Sequence, residues 1–81
     1  MSADAMPPPT PRQREFLSMI ASGLTRKQIA YECHVSFWTV KATLDQARER
    51  LGVQTLAQAV SKSIALGYIA PSYDGDVAIA L

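Results

Sequence analysis

The run TRKQIAYECHVSFWTVKATLDQARERL, residues 25–51, decides the fold. Thr25 is a helix-capping residue, and Gln28 stands three positions on, where its amide can return the bond. This pair opens a short helix through about Cys33, with Ile29 and Ala30 turned inward. Ser36 is a second cap. Beyond it Val40, Leu44, Ala47 and Leu51 recur at steps of four, three and four, a single buried stripe on a helix of about 15 residues. Only Cys33-His34-Val35-Ser36 joins the two helices, a connection of helix-turn-helix length. Such a turn needs one residue at positive φ. Glycine is usual, but histidine is among the other residues enriched there, so His34 is read as the turn residue. A catalytic or metal-binding role would require a second histidine or a carboxylate cluster beside it, and none accompanies it. Cys33, on the inward side, is read as a small core residue.

Outward from this run the same grammar repeats. Thr10, Pro11 and Gln13 open a helix over about residues 11–22, whose Phe16, Leu17, Met19 and Ile20 keep helical spacing and which Gly23 ends. Thr55 and Gln58 open another through about Leu66, while Gly52 and Gly67 close the third and fourth helices. No segment alternates like a strand with hairpin turns. The expected fold is all-α: a compact four-helix domain containing a helix-turn-helix, over residues 10–70. Residues 1–9 end in three consecutive prolines and are expected to form a flexible N-terminal lead-in. Residues 71–81 are expected to form a C-terminal tail. Its apolar end, Val77-Ala78-Ile79-Ala80-Leu81, is read as frayed, packed on the body, or a tag for a partner or protease.

Composition narrows the function. A chain of 81 residues allows one domain, and its 48% apolar content is enough for a core. One cysteine excludes an internal disulfide and fits a reducing compartment. No apolar run can span a bilayer, and the N-terminus lacks the basic and apolar regions of a signal peptide. A cytoplasmic chain with no membrane partner is expected. Net charge is only +1, yet all eight basic residues lie between Arg12 and Lys62. Over residues 10–70 they face only Glu15, Glu32, Asp45 and Glu49, a net of +4. That is a mildly basic body, consistent with a phosphate-contacting surface. There is no nucleophile–base pair, phosphate loop or metal-ligand spacing, so neither enzyme activity nor a cofactor or metal is expected.

If the aliphatic stripe of the third helix faces inward, the opposite side carries Trp38, Lys41, Ala42, Asp45 and Glu49. The N-terminal half of a recognition helix is the part that reaches base edges. Lys41 can donate to guanine O6 or N7, and Ala42 can touch a thymine methyl. Thr39, Thr43 and Gln46 can bond phosphate or base. Thr25, Arg26 and Lys27 place amides and cations where a phosphate would sit. Any one of these cations can equally be a solvated surface charge.

Residues 10–69 read Thr-Pro-Arg-Gln-Arg-Glu-Phe-Leu, then Ile-Ala-Ser-Gly-Leu-Thr-Arg-Lys-Gln-Ile-Ala. They continue with Val-Ser-Phe-Trp-Thr-Val-Lys, Arg-Leu-Gly-Val, and Ala-Gln-Ala-Val ahead of Gly-Tyr-Ile. This resembles the LuxR/FixJ/GerE helix-turn-helix DNA-binding domain along its whole length. The resemblance implies a four-helix domain, major-groove binding by helix 3, and dimerisation largely through helix 4. For the last, Leu56, Ala59, Val60, Ser63 and Ile64 supply apolar and small positions. Lys41 matches the family's basic residue in Thr-Val-Lys. Arg50 lies close to a lysine the family carries near the end of helix 3, and is expected on the DNA backbone.

Four positions depart from the family pattern. Thr43 stands where histidine is frequent. Asp45 stands where several members carry a basic contact, so it either accepts from a cytosine amine or repels phosphate. Phe37 and Trp38 replace residues that are usually polar; Phe37 is expected to pack down and Trp38 to be exposed. Helix 3 nets only +1 from Ser36 to Leu51, so non-specific DNA affinity should be weak.

The functional expectation is a stand-alone transcriptional regulator that binds double-stranded DNA as a homodimer. With nine residues ahead of helix 1, no receiver or ligand-binding domain is expected, and control would come from expression level, oligomerisation or a partner. The alternative is a protein-interaction module on the same fold that binds RNA polymerase or titrates a full-length regulator of this type. Region 4 of a sigma factor is a near neighbour, but the segment from Val53 to Ile69 argues against it.

Overall fold

A computed structural model describes residues 7–71. It contains α1 (Pro11–Ala21), α2 (Arg26–Cys33), α3 (Phe37–Leu51) and α4 (Leu56–Ala65). No strand occurs among the described residues. The all-α, four-helix expectation is met, with element ends within a residue or two of those read from the caps.

Three helix starts are built alike. Thr10, Thr25 and Thr55 each accept a hydrogen bond at Oγ1 from the amide of Gln13, Gln28 or Gln58, all at 3.1 Å. Each glutamine Oε1 accepts in return from the threonine amide, at 3.0, 2.8 and 3.1 Å. A cap of this kind contributes about 1 kcal/mol and fixes where the helix begins. At α3 the third helical residue is Thr39 rather than glutamine. Ser36 Oγ accepts from the Thr39 amide at 3.0 Å, so this start has one arm of the box and not the other.

The helix ends also share one design. An amide reaches back five residues in each case: Leu24 to Met19, Val35 to Ala30, Val53 to Arg48 and Tyr68 to Ser63. The residue before each of these amides has positive φ. Three of the four are glycine; the other is His34 at φ 57°, as its place in the turn required.

α3 packs against all three other helices, and α2 and α4 do not touch one another. The stripe Val40, Leu44, Ala47 and Leu51 is buried as expected, against Phe16, Leu17, Ile29, Ala30 and Ala59. Cys33 is half-buried beside this core, its Sγ 3.8 Å from Met19 Sδ. Ile69, past the end of α4, is buried in the same cluster, and the Arg14 guanidinium lies 5.5 Å above the Tyr68 ring.

The lead-in reading needs correction at its last residues. Pro9 is fully buried. Arg14 Nε donates to the Pro9 carbonyl at 3.3 Å, and Arg50 Nε donates to the Pro8 carbonyl at 3.1 Å. A proline has no N–H, so burying it strands no donor, and the carbonyls are satisfied by arginines from α1 and α3. Residues 1–6 and 72–81 lie outside the described residues, and with them the apolar end Val77–Leu81.

Candidate nucleic-acid interface

Burying the Val40/Leu44/Ala47/Leu51 stripe fixes what α3 shows to solvent, because a helix turns 3.6 residues per revolution. Trp38, Lys41, Ala42, Asp45 and Glu49 fall on the opposite side. Thr39, Gln46 and Arg50 fall on one flank, and Phe37 and Arg48 on the other. Trp38 is 70% exposed, and Thr39, Lys41, Ala42, Gln46 and Glu49 are exposed as well. Of the side chains read as DNA contacts, α3 thus brings Trp38, Lys41, Ala42 and Asp45 onto one face, with Thr39 and Gln46 at its edge. Phe37 is half-buried, and its ring meets Trp38 edge-on at 5.2 Å between centroids, 81° apart in plane. That contact props the indole at the start of the helix.

The charges on this face are linked. Lys41 Nζ donates to Asp45 Oδ2 at 3.1 Å, and Arg48 Nη2 donates to Asp45 Oδ1 at 2.7 Å. Arg48 Nη1 also donates to the Gln54 carbonyl, at 2.7 Å. The hydrogen bond from Arg48, then that from Lys41, holds the Asp45 carboxyl below its ordinary pKa, so it is ionised throughout the neutral range. Arg48 was not among the residues singled out from sequence. Its spacing of three from Asp45 was readable, but its second bond, to the loop after α3, was not. The end of α3 gains one more partner from α4, whose Lys62 Nζ donates to the Leu51 carbonyl at 2.6 Å.

On α2, the capping box occupies two of the amides that could have faced a phosphate, those of Thr25 and Gln28. The Arg26 Nε is buried with no hydrogen-bond partner among the described residues. Arg50, expected on the DNA backbone, spends its Nε on Pro8. Thr43 Oγ1 donates to the Thr39 carbonyl at 2.7 Å, turning its hydroxyl along the helix and away from a ligand.

The positions read as a dimer surface on α4 divide. Ala59 and Ser63 are fully buried by the chain's own packing, where α4 lies on α1 and α3, and have no surface for a second copy. Leu56, Val60 and Ile64 are half-buried at the edge of that contact. The open side of α4 carries Ala57, Ser61 and Ala65 instead.

Sequence reading also missed a shallow groove of about 610 Å³ between α1 and α2, lined by Met19, Leu24, Lys27, Gln28, Tyr31 and Glu32. Tyr31 is 80% exposed there, a position that helical spacing alone could have flagged. Among the described residues, no helix is long and apolar enough to cross a membrane. No group of three or more histidine, cysteine, aspartate or glutamate side chains among them could hold a metal ion.

Residues 9–63 match the family described as bacterial regulatory proteins, luxR family (GerE). The chain is 34% identical over 58 residues to the spore germination protein GerE of Bacillus subtilis strain 168, covering 72% of this chain and 78% of that protein. It is 44% identical over 48 residues to YhjB of Escherichia coli strain K12, named as an HTH-type transcriptional regulator. The latter match covers 59% of this chain but only 24% of YhjB, so the chain spans about a quarter of that relative's length. With the family pattern present over most of its residues and built on the observed helix-turn-helix, the chain belongs to the LuxR family of bacterial regulatory proteins, a family of DNA-binding transcription regulators and not an enzyme class.

Proposed function

We propose that this chain is a sequence-specific regulator of transcription that lays α3 in the major groove of double-stranded DNA. One observation carries this reading. Among the described residues, none covers the face of α3 opposite its buried stripe, which offers Trp38, Lys41 and Ala42 in the helix's N-terminal half. Lys41 is the guanine-reading donor, Ala42 contacts a thymine methyl, and Thr39 and Gln46 bond at the edges of the same groove. Arg26 and Lys27, at the start of α2, hold a phosphate. Trp38 packs its exposed ring against the sugar wall. Two copies pair along the edge of α4 formed by Leu56, Val60 and Ile64, which sets two half-sites about one duplex turn apart. The site of action is the cytoplasm, where the DNA is.

Unbiased selection of bound duplexes from a random library tests this directly. The expected product is a two-fold symmetric sequence with half-site centres about 10 base pairs apart. A folded chain that enriches no duplex refutes the reading. That result would favour the second one, a protein-interaction module contacting RNA polymerase or a full-length regulator of the family, for which the exposed rings of Trp38 and Tyr31 are the supporting observation.

A further inference from the structure

The outward face of α3 has an unusual charge balance for a surface that meets phosphate. Lys41 and Arg48, which both pair with Asp45, stand with two acids, Asp45 and Glu49, so the face carries no net positive charge. Lys41 is also engaged: its Nζ is 3.1 Å from Asp45 Oδ2. The carboxylate cannot follow the lysine away, because its other oxygen is held at 2.7 Å by Arg48, which is itself fixed to the Gln54 carbonyl. Of the three linked side chains, Lys41 is the one with no second anchor, and its side chain is 48% exposed. When Lys41 swings towards a base, Asp45 stays behind as a fixed, ionised acceptor whose Oδ2 has lost its donor.

Resting on the DNA-binding reading above, we propose that Asp45 is the specificity-determining residue of α3: it keeps Lys41 from random phosphates and admits only a groove site that places a cytosine N4 amine against its freed Oδ2. Two physical effects act together. On arbitrary DNA, Lys41 must leave a nearby anion to reach phosphate, and Asp45 is brought towards the phosphates with Arg48 as its remaining partner. At the correct site, guanine O6/N7 takes the lysine and a cytosine amine takes the carboxylate, so no buried charge is left without a partner. Lys41 and Asp45 lie one helical turn apart, so the two bases read are on the same or neighbouring base pairs.

The test compares wild type with Asp45→Asn, which keeps the shape and removes the charge, and with Asp45→Ala, which favours the helix. Fluorescence anisotropy with a random-sequence duplex of about 20 base pairs, across a range of salt, should show both variants binding about eightfold more tightly near 0.1 M salt. Their salt dependence should be steeper by about one released ion. Parallel selections from a random library should show a cytosine in the wild-type consensus that Asp45→Ala, which removes the acceptor, loses. Glu49→Gln, an equal charge change on the same face but not paired with Lys41, should tighten random binding and keep that cytosine. The proposal is overturned if Asp45→Ala keeps the wild-type consensus, or if random-duplex affinity does not rise in either variant. If wild type selects a site and only these differences fail, the DNA-binding reading stands; if folded wild type selects nothing, both fall.

Discussion

Leu44→Ala is the sharpest test of the geometry that orients the reading face. Leu44 is 1% exposed at the centre of α3, which, like α1, packs on all three other helices. The substitution removes three carbons, about 2.4 kcal/mol at ~0.8 kcal/mol per buried methylene. A further loss comes from the cavity, since helices gripping α3 from several sides cannot all close on the gap, and the total is about 3–4 kcal/mol. A domain of this size carries roughly 4–12 kcal/mol of stability, so the loss is about a quarter or more of the whole. At ~4–8 °C per kcal/mol, Tm should fall by about 12–32 °C. The helical circular dichroism signal followed against temperature and against urea measures this. Gln46→Ala, on the exposed side two residues away, is the control and should shift stability by no more than about 0.5 kcal/mol. A Leu44→Ala protein melting within about 3 °C of wild type would refute the inward stripe, and with it the orientation of Lys41.

Three further outcomes are expected. Lys41→Ala should weaken binding to the selected duplex by about 1–3 kcal/mol, the worth of one base contact, while releasing an exposed pair worth only ~0.5 kcal/mol; titration of the duplex measures it, and unchanged affinity would reject the docking. Ser63→Ala should stabilise the fold by about 1 kcal/mol, because Ser63 is fully buried and its Oγ has no hydrogen-bond partner among the described residues. Urea unfolding reads this, and a loss of stability would show that the hydroxyl is satisfied after all. The Asp45 carboxyl, held below its ordinary value of 3.8 chiefly by Arg48, stabilises the fold above that value and loses this contribution as pH drops through its lower folded-state value. Carboxyl NMR titration should place its midpoint below 3.8, and the stability gap between wild type and Asp45→Asn should close on acidification through that range.

The residues that act on near neighbours in sequence were legible without coordinates. Thr10, Thr25 and Thr55 bond the glutamine three places on, so the helix starts could be read from spacing alone. His34 and the three glycines answer a local demand for positive φ, so the ends could be read as well. The aliphatic period of α3 then determined both its buried side and, by elimination, the face bearing Trp38, Lys41, Ala42 and Asp45. The depth of α4 in the fold was another matter: its period gave a stripe containing Ala59 and Ser63, but not whether that stripe met this chain or a second copy. Both residues lie under the chain's own packing, and only the placement of α4 on α1 and α3 decided it. The docking of Pro8 on Arg50 likewise joins residues 42 positions apart, and Arg48 ties the reading face to Gln54 in the following loop. Short-range hydrogen bonding leaves a fixed signature along the chain. A contact across the fold exists only once helix packing has brought its two ends together, and no spacing in the sequence records it.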